Sequence, residues 1–223
     1  RRSKDASNTT LMKEFQGGVL VLTGANSAIG LRSMPVRYIF LDEIDAYKGD
    51  VEGEGDPVNL AIKRTSTFNR RKIFMVSTPT IQSVSRIEYE YEQSDQRHYM
   101  VPCPYCNKRQ SLKWKQIHWE NNDPQTAVYI CEYCGGIIEE HLKTWMLENG
   151  IWEKSNPSSK IAGFHLSSLY SPVGWFSWAD AVKQFLDAKN KDNLLKVWVN
   201  TVLGETWLEK GEAPEWQILF DKR

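Results

Sequence analysis

Two short apolar runs organise the first hundred residues. Val36-Arg37-Tyr38-Ile39-Phe40-Leu41 runs into the adjacent acids Asp42 and Glu43, with Asp45 close behind, and a second run from Lys72 to Val76 ends at Ser77-Thr78-Pro79-Thr80. Runs of this length, rich in β-branched and aromatic residues, predict strands buried in a parallel sheet. Between them Asp56-Pro57 predicts a helix start: the aspartate caps free N–H groups, and the proline sits where its missing donor costs nothing. That helix is expected to run through Leu60, Ala61 and Arg64 to about Phe68, completing a strand–helix–strand unit. Upstream, residues 9–15 and 19–23 flank Gly17-Gly18 and predict a hairpin. The stretch Gly24-Ala25-Asn26-Ser27-Ala28-Ile29-Gly30 reads as a flexible connection. It is no Walker A loop, because no Gly-Lys-Ser/Thr closes it.

From Ser177 the period changes. Trp178, Ala181, Val182, Phe185 and Leu186 recur at helical spacing, with Ser177 as the expected cap, and Leu194, Leu195, Trp198, Val202 and Leu203 predict a second helix. Such stripes are read as core, although the tryptophans could also stack on bases. Residues 209–216 read as a charged linker, and Ile218-Leu219-Phe220 as the start of another module.

Composition marks a folded protein: 41% of residues are hydrophobic and 12% aromatic. Equal numbers of basic and acidic residues, 28 each, remove any argument from global charge to a nucleic-acid partner. Charge is nevertheless uneven. Residues 42–56 are acidic, while Lys63, Arg64, Arg70, Arg71 and Lys72 form one basic cluster and Lys108, Arg109, Lys113 and Lys115 another. The latter four are candidate DNA contacts, or plain solubilising charge. No apolar run approaches the roughly 20 residues needed to span a bilayer, and no signal peptide is visible. The chain opens on Arg1-Arg2 without a methionine, which reads as a fragment.

Asp42 and Glu43 would emerge at the carboxyl end of a strand, where parallel sheets bind ligands. In P-loop NTPases the first acid of such a pair helps hold Mg²⁺, and the second orients or deprotonates the attacking water; the plainer reading is a strand leaving into an acidic loop. Hydroxyls at the end of the next strand suit a sensor of a γ-phosphate, although Ser-Thr-Pro also reads as a turn. All four cysteines fall in Cys103-Pro104-Tyr105-Cys106 and Cys131-Glu132-Tyr133-Cys134, with 24 residues between the two pairs. Each Cys-x-x-Cys can place two thiolates on one metal, and two of them complete a closed tetrahedral site for structural Zn²⁺. Disulfides would require an oxidising compartment. His98, His118, His141 and His165 are scattered; His118 could compete as a ligand, but four cysteines already saturate the ion.

Taken in order, Gly24-Ala25-Asn26-Ser27, Arg37-Tyr38 into Asp42-Glu43, Gly55-Asp56-Pro57, Ser77-Thr78-Pro79-Thr80, Ser94-Asp95-Gln96-Arg97, Val101-Pro102-Cys103-Pro104 and Cys131-Glu132-Tyr133-Cys134-Gly135 resemble the lambda-like large terminase subunit of tailed phages. That family packages viral double-stranded DNA with an N-terminal ATPase and cuts concatemers with a C-terminal nuclease. The resemblance implies that Asp42 is the Walker B aspartate, Glu43 the catalytic glutamate, and Ser77-Thr78-Pro79 the motif coupling hydrolysis to movement. It places Arg32 where a charge-stabilising arginine would sit. It also implies ATP and Mg²⁺ as ligands, the small terminase subunit and the capsid portal as partners, a homo-oligomeric ring on the portal, no membrane, and a site of action in the host cytoplasm.

The expected fold is therefore α/β: an incomplete P-loop NTPase-type parallel sheet with a zinc ribbon and a helical connector. Residues 1–97 are assigned to the ATPase, 98–140 to the ribbon, 141–208 to the connector and 209–223 to a linker toward a nuclease. With Walker A expected upstream of Arg1, this piece alone is expected to be inactive. Two other classes stay open. Asp42-Glu43-Ile44-Asp45 also fits a helicase-like ATPase, and the cysteine pairs alone would suit a non-enzymatic zinc-ribbon adaptor for nucleic acid.

Overall fold

In the computed structural model, residues 9–27, 30–31 and 34–209 are described. Strands β1 (Met12–Phe15) and β2 (Gly18–Val21) pair antiparallel, with Phe15 opposite Gly18. The turn is Gln16-Gly17, and Gly17 takes a φ of 90°, which costs glycine little. The expected hairpin forms, with Gly18 in the strand and not in the turn.

Strands β3 (Tyr38–Asp42) and β4 (Lys72–Val76) pair in parallel, in register from Tyr38 opposite Lys72 to Asp42 opposite Val76. Between them runs helix α1 (Pro57–Lys63), whose Asp56 cap accepts from the N–H groups of Val58 at 3.4 Å and Asn59 at 3.1 Å. The helix stops short of Phe68. Thr65 Oγ1 donates to the Ile62 carbonyl and Ser66 Oγ to the Lys63 carbonyl, both at 2.8 Å, offering the backbone an alternative to another helical turn. Burial also differs from the expectation of covered strands. Leu41, Val58 and Ala61 are buried, but Phe40 is 73% and Phe74 52% exposed. Among the described residues this two-stranded sheet is covered on the Ile39–Leu41 side, so alternate side chains of β3 and β4 face outward.

The chain divides into two units between Ser77 and Thr78, upstream of the boundary expected at residue 97. The second unit opens with α2 (Arg86–Glu92), capped by Ser85, and β5 (Arg97–Pro102). The hairpin partner of β5 is β6 (Arg109–Gln110). Then β7 (Ile117–Glu120), β8 (Asp123–Ile130) and β9 (Ile137–Ile138) form an antiparallel sheet in that order. Asn121 and Asn122 turn the chain between β7 and β8 with φ of 51° and 55°, the left-handed pair that a tight hairpin favours. After α3 (Lys143–Glu148), strand β10 (Ile151–Lys154) joins β5 antiparallel and β11 (Phe164–His165) joins it in parallel, leaving β5 central.

The expected C-terminal helices form as α4 (Trp178–Ala188) and α5 (Asp192–Trp198). Ser177 and Asp180 make a reciprocal capping box, and Trp178, Ala181 and Val182 are fully buried. Beyond Trp198 the second helix loosens into a π-helical turn, Val199–Leu203, that ends at left-handed Gly204. One core joins these helices to the cysteine-bearing hairpins: Val101, Tyr129, Ile138, Met146 and Leu169 pack with Trp178 and Val182. The cysteine-bearing segment thus shares its core with these helices. Residues 210–223, including most of the expected linker, lie outside the described residues.

Asp95 ties the second unit together where β5 begins. Its carboxylate accepts from Arg97 Nε at 2.9 and 3.1 Å and from the Gly163 N–H at 3.1 Å, and pairs with Lys154 at 3.4 Å. The Arg97 hydrogen bond, outweighing burial and joined by Gly163 and Lys154, holds this acid down at about 2. A folded value below the unfolded one contributes stability that is complete above about pH 4 and fades as pH falls toward 2. We expect Asp95→Asn to lower the melting temperature of the second unit by several degrees at pH 7. Melting curves recorded between pH 7 and pH 2 should show that difference shrinking toward the acid end; a constant difference would contradict this account.

Candidate functional site

Because β3 and β4 are parallel and in register, the residues that follow them, Glu43 and Ser77, leave the same edge of the sheet. Asp42 and Glu43 are exposed there. Glu43 adopts φ 54° and ψ 50°, the left-handed region, and opens a single 3-10 turn, Ile44–Ala46. The Asp45 N–H donates to Ser77 Oγ at 3.1 Å, so the second strand end is fastened to the acidic turn of the first. Tyr47 joins this edge, a residue to which no sequence signal pointed. Burial raises its hydroxyl above the usual value, a hydrogen bond with the Asp42 backbone opposes the rise, and the Asp42 charge adds to it. Arg32 lies outside the described residues.

A left-handed conformation at a residue with a Cβ costs on the order of 1 kcal/mol, and such strain clusters at functional turns. Both Glu43→Gly and Glu43→Ala remove the carboxylate, but only glycine relieves the backbone. We therefore expect the glycine variant to be the more stable of the two by about 1 kcal/mol. Denaturant titration of the two variants checks this, and equal midpoints would refute strain at Glu43.

The four cysteines converge, each pair at the tip of a hairpin: Cys103 and Cys106 between β5 and β6, Cys131 and Cys134 between β8 and β9. The two tips repeat one another bond for bond. The N–H groups of Tyr105 and Tyr133 donate to the sulfurs of Cys103 and Cys131 at 3.4 Å. The N–H groups of Asn107 and Gly135 return to the carbonyls of Cys103 and Cys131 at 2.9 and 3.0 Å. Asn107 and Gly135 both take positive φ, 58° and 68°, which lets the chain wrap back over its own sulfurs. All four sulfurs lie within 4.8 Å of one another, and the Cys103–Cys134 and Cys106–Cys131 pairs stand 3.8 Å apart. A disulfide needs about 2.05 Å, and none of the four is so paired. This group can hold a metal ion.

The sulfurs also differ in charge preference. Burial pushes the Cys103 thiol up to about 12. Burial acts the same way on Cys131, but N–H donors from Cys134 and Tyr133 and the neighbouring thiols overcome it and bring Cys131 down to about 7. Thiols this close ionise in sequence, the first thiolate collecting its neighbours' hydrogen bonds. His118 is exposed on β7 and is not in this cluster, the only such group among the described residues.

The basic residues near the cysteine pairs are engaged within the protein. Lys113 and Lys115 share the carboxylate of Glu132, at 2.8 and 3.7 Å. Arg109 donates to the Asn149 carbonyl at 2.8 Å, and the Lys108 ammonium lies 5.3 Å from the centre of the Tyr133 ring. His98 and His165, far apart in sequence, are direct partners across β5 and β11, with ring centres 6.3 Å apart and Tyr91 packed against both. Burial, with the charges of His165 and Lys113, pushes His98 below its usual value.

A family model described as the ATPase domain of phage terminase large subunit gpA matches residues 1–152. The chain belongs to the gpA family of phage terminase large subunits. A second model, the endonuclease domain of terminase large subunit gpA, matches residues 161–223, so the seam between the two falls inside the expected connector. The terminase large subunit of Enterobacteria phage P21 is 34% identical over 98% of this chain and 38% of its own length. That of Escherichia phage lambda is 29% identical over 99% of this chain and 38% of its own length. The chain therefore spans well under half of these relatives. No solved structure matches it. Among the described residues, no helix is long and apolar enough to cross a membrane.

Proposed function

We propose that this chain carries part of the ATPase of a DNA-packaging terminase, with Asp42 and Glu43 as its acids and a P-loop NTPase-type sheet as its scaffold. The observation that carries the reading is the parallel pairing of β3 with β4, which brings Glu43 and Ser77 to one sheet edge. Mg²⁺, when bound with ATP, would neutralise charge on the phosphates. In this reading Asp42 helps hold that ion, while Glu43 orients and deprotonates the attacking water. Ser77, already fastened to the Asp45 N–H, opens the Ser77-Thr78-Pro79 motif through which hydrolysis is coupled to movement of double-stranded DNA. Arg32 remains the candidate for stabilising transition-state charge. The wider machinery belongs to the same proposal: an endonuclease in the complete protein, the small terminase subunit, a portal-bound ring and a place in the host cytoplasm. A helicase-like ATPase or a ribbon adaptor has no comparable support from the family models.

For the cysteine cluster we infer structural Zn²⁺. A tetrahedron with Zn–S bonds of about 2.3 Å has edges of about 3.8 Å, the spacing found for the cross-hairpin pairs Cys103–Cys134 and Cys106–Cys131. Four thiolates close the site, so the ion would hold the two hairpin tips together and offer no open position for catalysis. Lys108, Arg109, Lys113 and Lys115 remain the candidates for a phosphate backbone, each of them already held by a partner within the protein.

Two measurements test these readings. In the complete large subunit, Glu43→Gln should nearly abolish ATP hydrolysis while nucleotide binding stays within a few-fold of wild type, because the amide keeps the shape but cannot take the water's proton. Wild-type turnover in that variant would remove Glu43 from the mechanism. Metal analysis should return one zinc per chain, and a chelator should destabilise α4 along with the hairpins, since they share a core. Protein free of metal yet fully stable would exclude the zinc site.

A further inference from the structure

Just past the Ser77-Thr78-Pro79 motif, the chain is caught by residues from the far end of the described structure. The Thr80 carbonyl accepts two hydrogen bonds, from Asn200 Nδ2 at 2.7 Å and from the Trp207 N–H at 2.8 Å. The Gln82 N–H returns to the Trp207 carbonyl at 3.0 Å, and Ile81 and Trp207 form a parallel bridge. Thr206 Oγ1 donates to Glu88 of α2. Asn200 is only 8% exposed, and its amide also donates to the Glu205 carbonyl at 2.8 Å. Both partners are acceptors, so both amide hydrogens are used and only one orientation of the amide satisfies them. The π-helical turn Val199–Leu203 holds Asn200, an irregularity that often marks a functional element. Left-handed Gly204 then lets the chain reverse, its carbonyl 3.0 Å from His165 Nε2.

We propose that Asn200 is a positioning residue which fastens the output end of the Ser77-Thr78-Pro79 motif to the 200–207 segment, delivering movement of the motif to the part of the chain that matches the endonuclease model. The inference rests on the reading of Ser77-Thr78-Pro79 as the coupling motif. Ser77 Oγ is held by the Asp45 N–H on one side and the Thr80 carbonyl by Asn200 and Trp207 on the other. Only Thr78 and Pro79 lie between. Proline fixes its own φ and restricts the residue before it to extended conformations, so this tether has few torsions with which to absorb a displacement. A shift of the Glu43–Ser77 edge is therefore passed along the chain to Thr80 and, through its two hydrogen bonds, to residues 200–207.

The test uses the complete large subunit in a DNA-packaging assay. Asn200→Leu keeps the side chain's approximate size but removes both donors. Its DNA-stimulated ATP hydrolysis should stay within about twofold of wild type, while the length of DNA moved per ATP falls about tenfold. A merely structural tie would lower both together through loss of folded protein, leaving DNA moved per ATP unchanged. That unchanged ratio would overturn the proposal. Should Asn200→Leu fail to fold, hydrogen exchange on the wild-type protein decides instead. Protection of the Gln82 and Trp207 amides should differ between the nucleotide-free state and a complex with a non-hydrolysable ATP analogue, and identical protection would overturn the proposal. Glu43→Gln run in parallel separates the two claims: if it hydrolyses ATP like wild type, the ATPase reading fails, whatever Asn200→Leu does.

Discussion

Parallel pairing of β3 with β4 is the constraint on which the first unit depends. Parallel neighbours cannot be joined by a hairpin, so the chain must travel back across the sheet, and residues 43–71 supply that return with α1 at its centre. The same geometry forces both strands to end at one edge, where Asp42, Glu43, Ser77 and Tyr47 collect. Register is equally constrained. Leu41 is buried with Val58 and Ala61, and a one-residue slip would expose Leu41 and bury the side chains that now face outward. Glu43 is then held left-handed at the first strand end, while the Asp45 N–H fastens Ser77 at the second.

In the second unit the comparable constraint is the meeting of two hairpin tips. Each tip is satisfied locally, by N–H groups to sulfur and carbonyl, but the four sulfurs meet only because β5–β6 and β8–β9 are packed on one core. Tyr129 and Ile138 of the second hairpin and Val101 of the first are fully buried there with Trp178. The cysteine cluster and the helix packing are consequently parts of one cooperative structure. The tryptophans read as core stripes behave as such: Trp178 and Trp198 are buried, and their indole N–H groups donate to the carbonyls of Leu169 and Ala181 at 3.1 Å.

What was legible in the sequence was whatever local chemistry or period encodes. The Asp56-Pro57 start, the Ser177 cap, the helical stripe after it and the two Cys-x-x-Cys knuckles all correspond to observed elements. The parallel pair was legible because a helix start lay between two apolar runs. Features set by distant partners were not. His98 meets His165 through the pairing of β5 with β11, and no spacing in sequence announces it. Asp95 stood out only as part of a family motif; its role as a hub depends on Lys154 and Gly163, which return to it from later in the chain. The early end of α1 is of another kind. The helix was expected to run on through Arg64 to Phe68, but Thr65 and Ser66 are weak helix formers whose hydroxyls bond back to the preceding carbonyls and end it early.

The seam between the two family models, between residues 152 and 161, does not coincide with the division of the fold. Strand β10 lies at the end of the ATPase-model segment and β11 near the start of the endonuclease-model segment, yet both pair with β5 in one sheet. Asp95 reinforces the joint, since its carboxylate contacts Lys154 on one side of the seam and the Gly163 N–H on the other. A seam stitched by two strand pairings and a buried carboxylate is not a flexible linker. Residues 78–152 therefore fold with the beginning of the endonuclease-model segment, and the fold itself is divided at Ser77-Thr78.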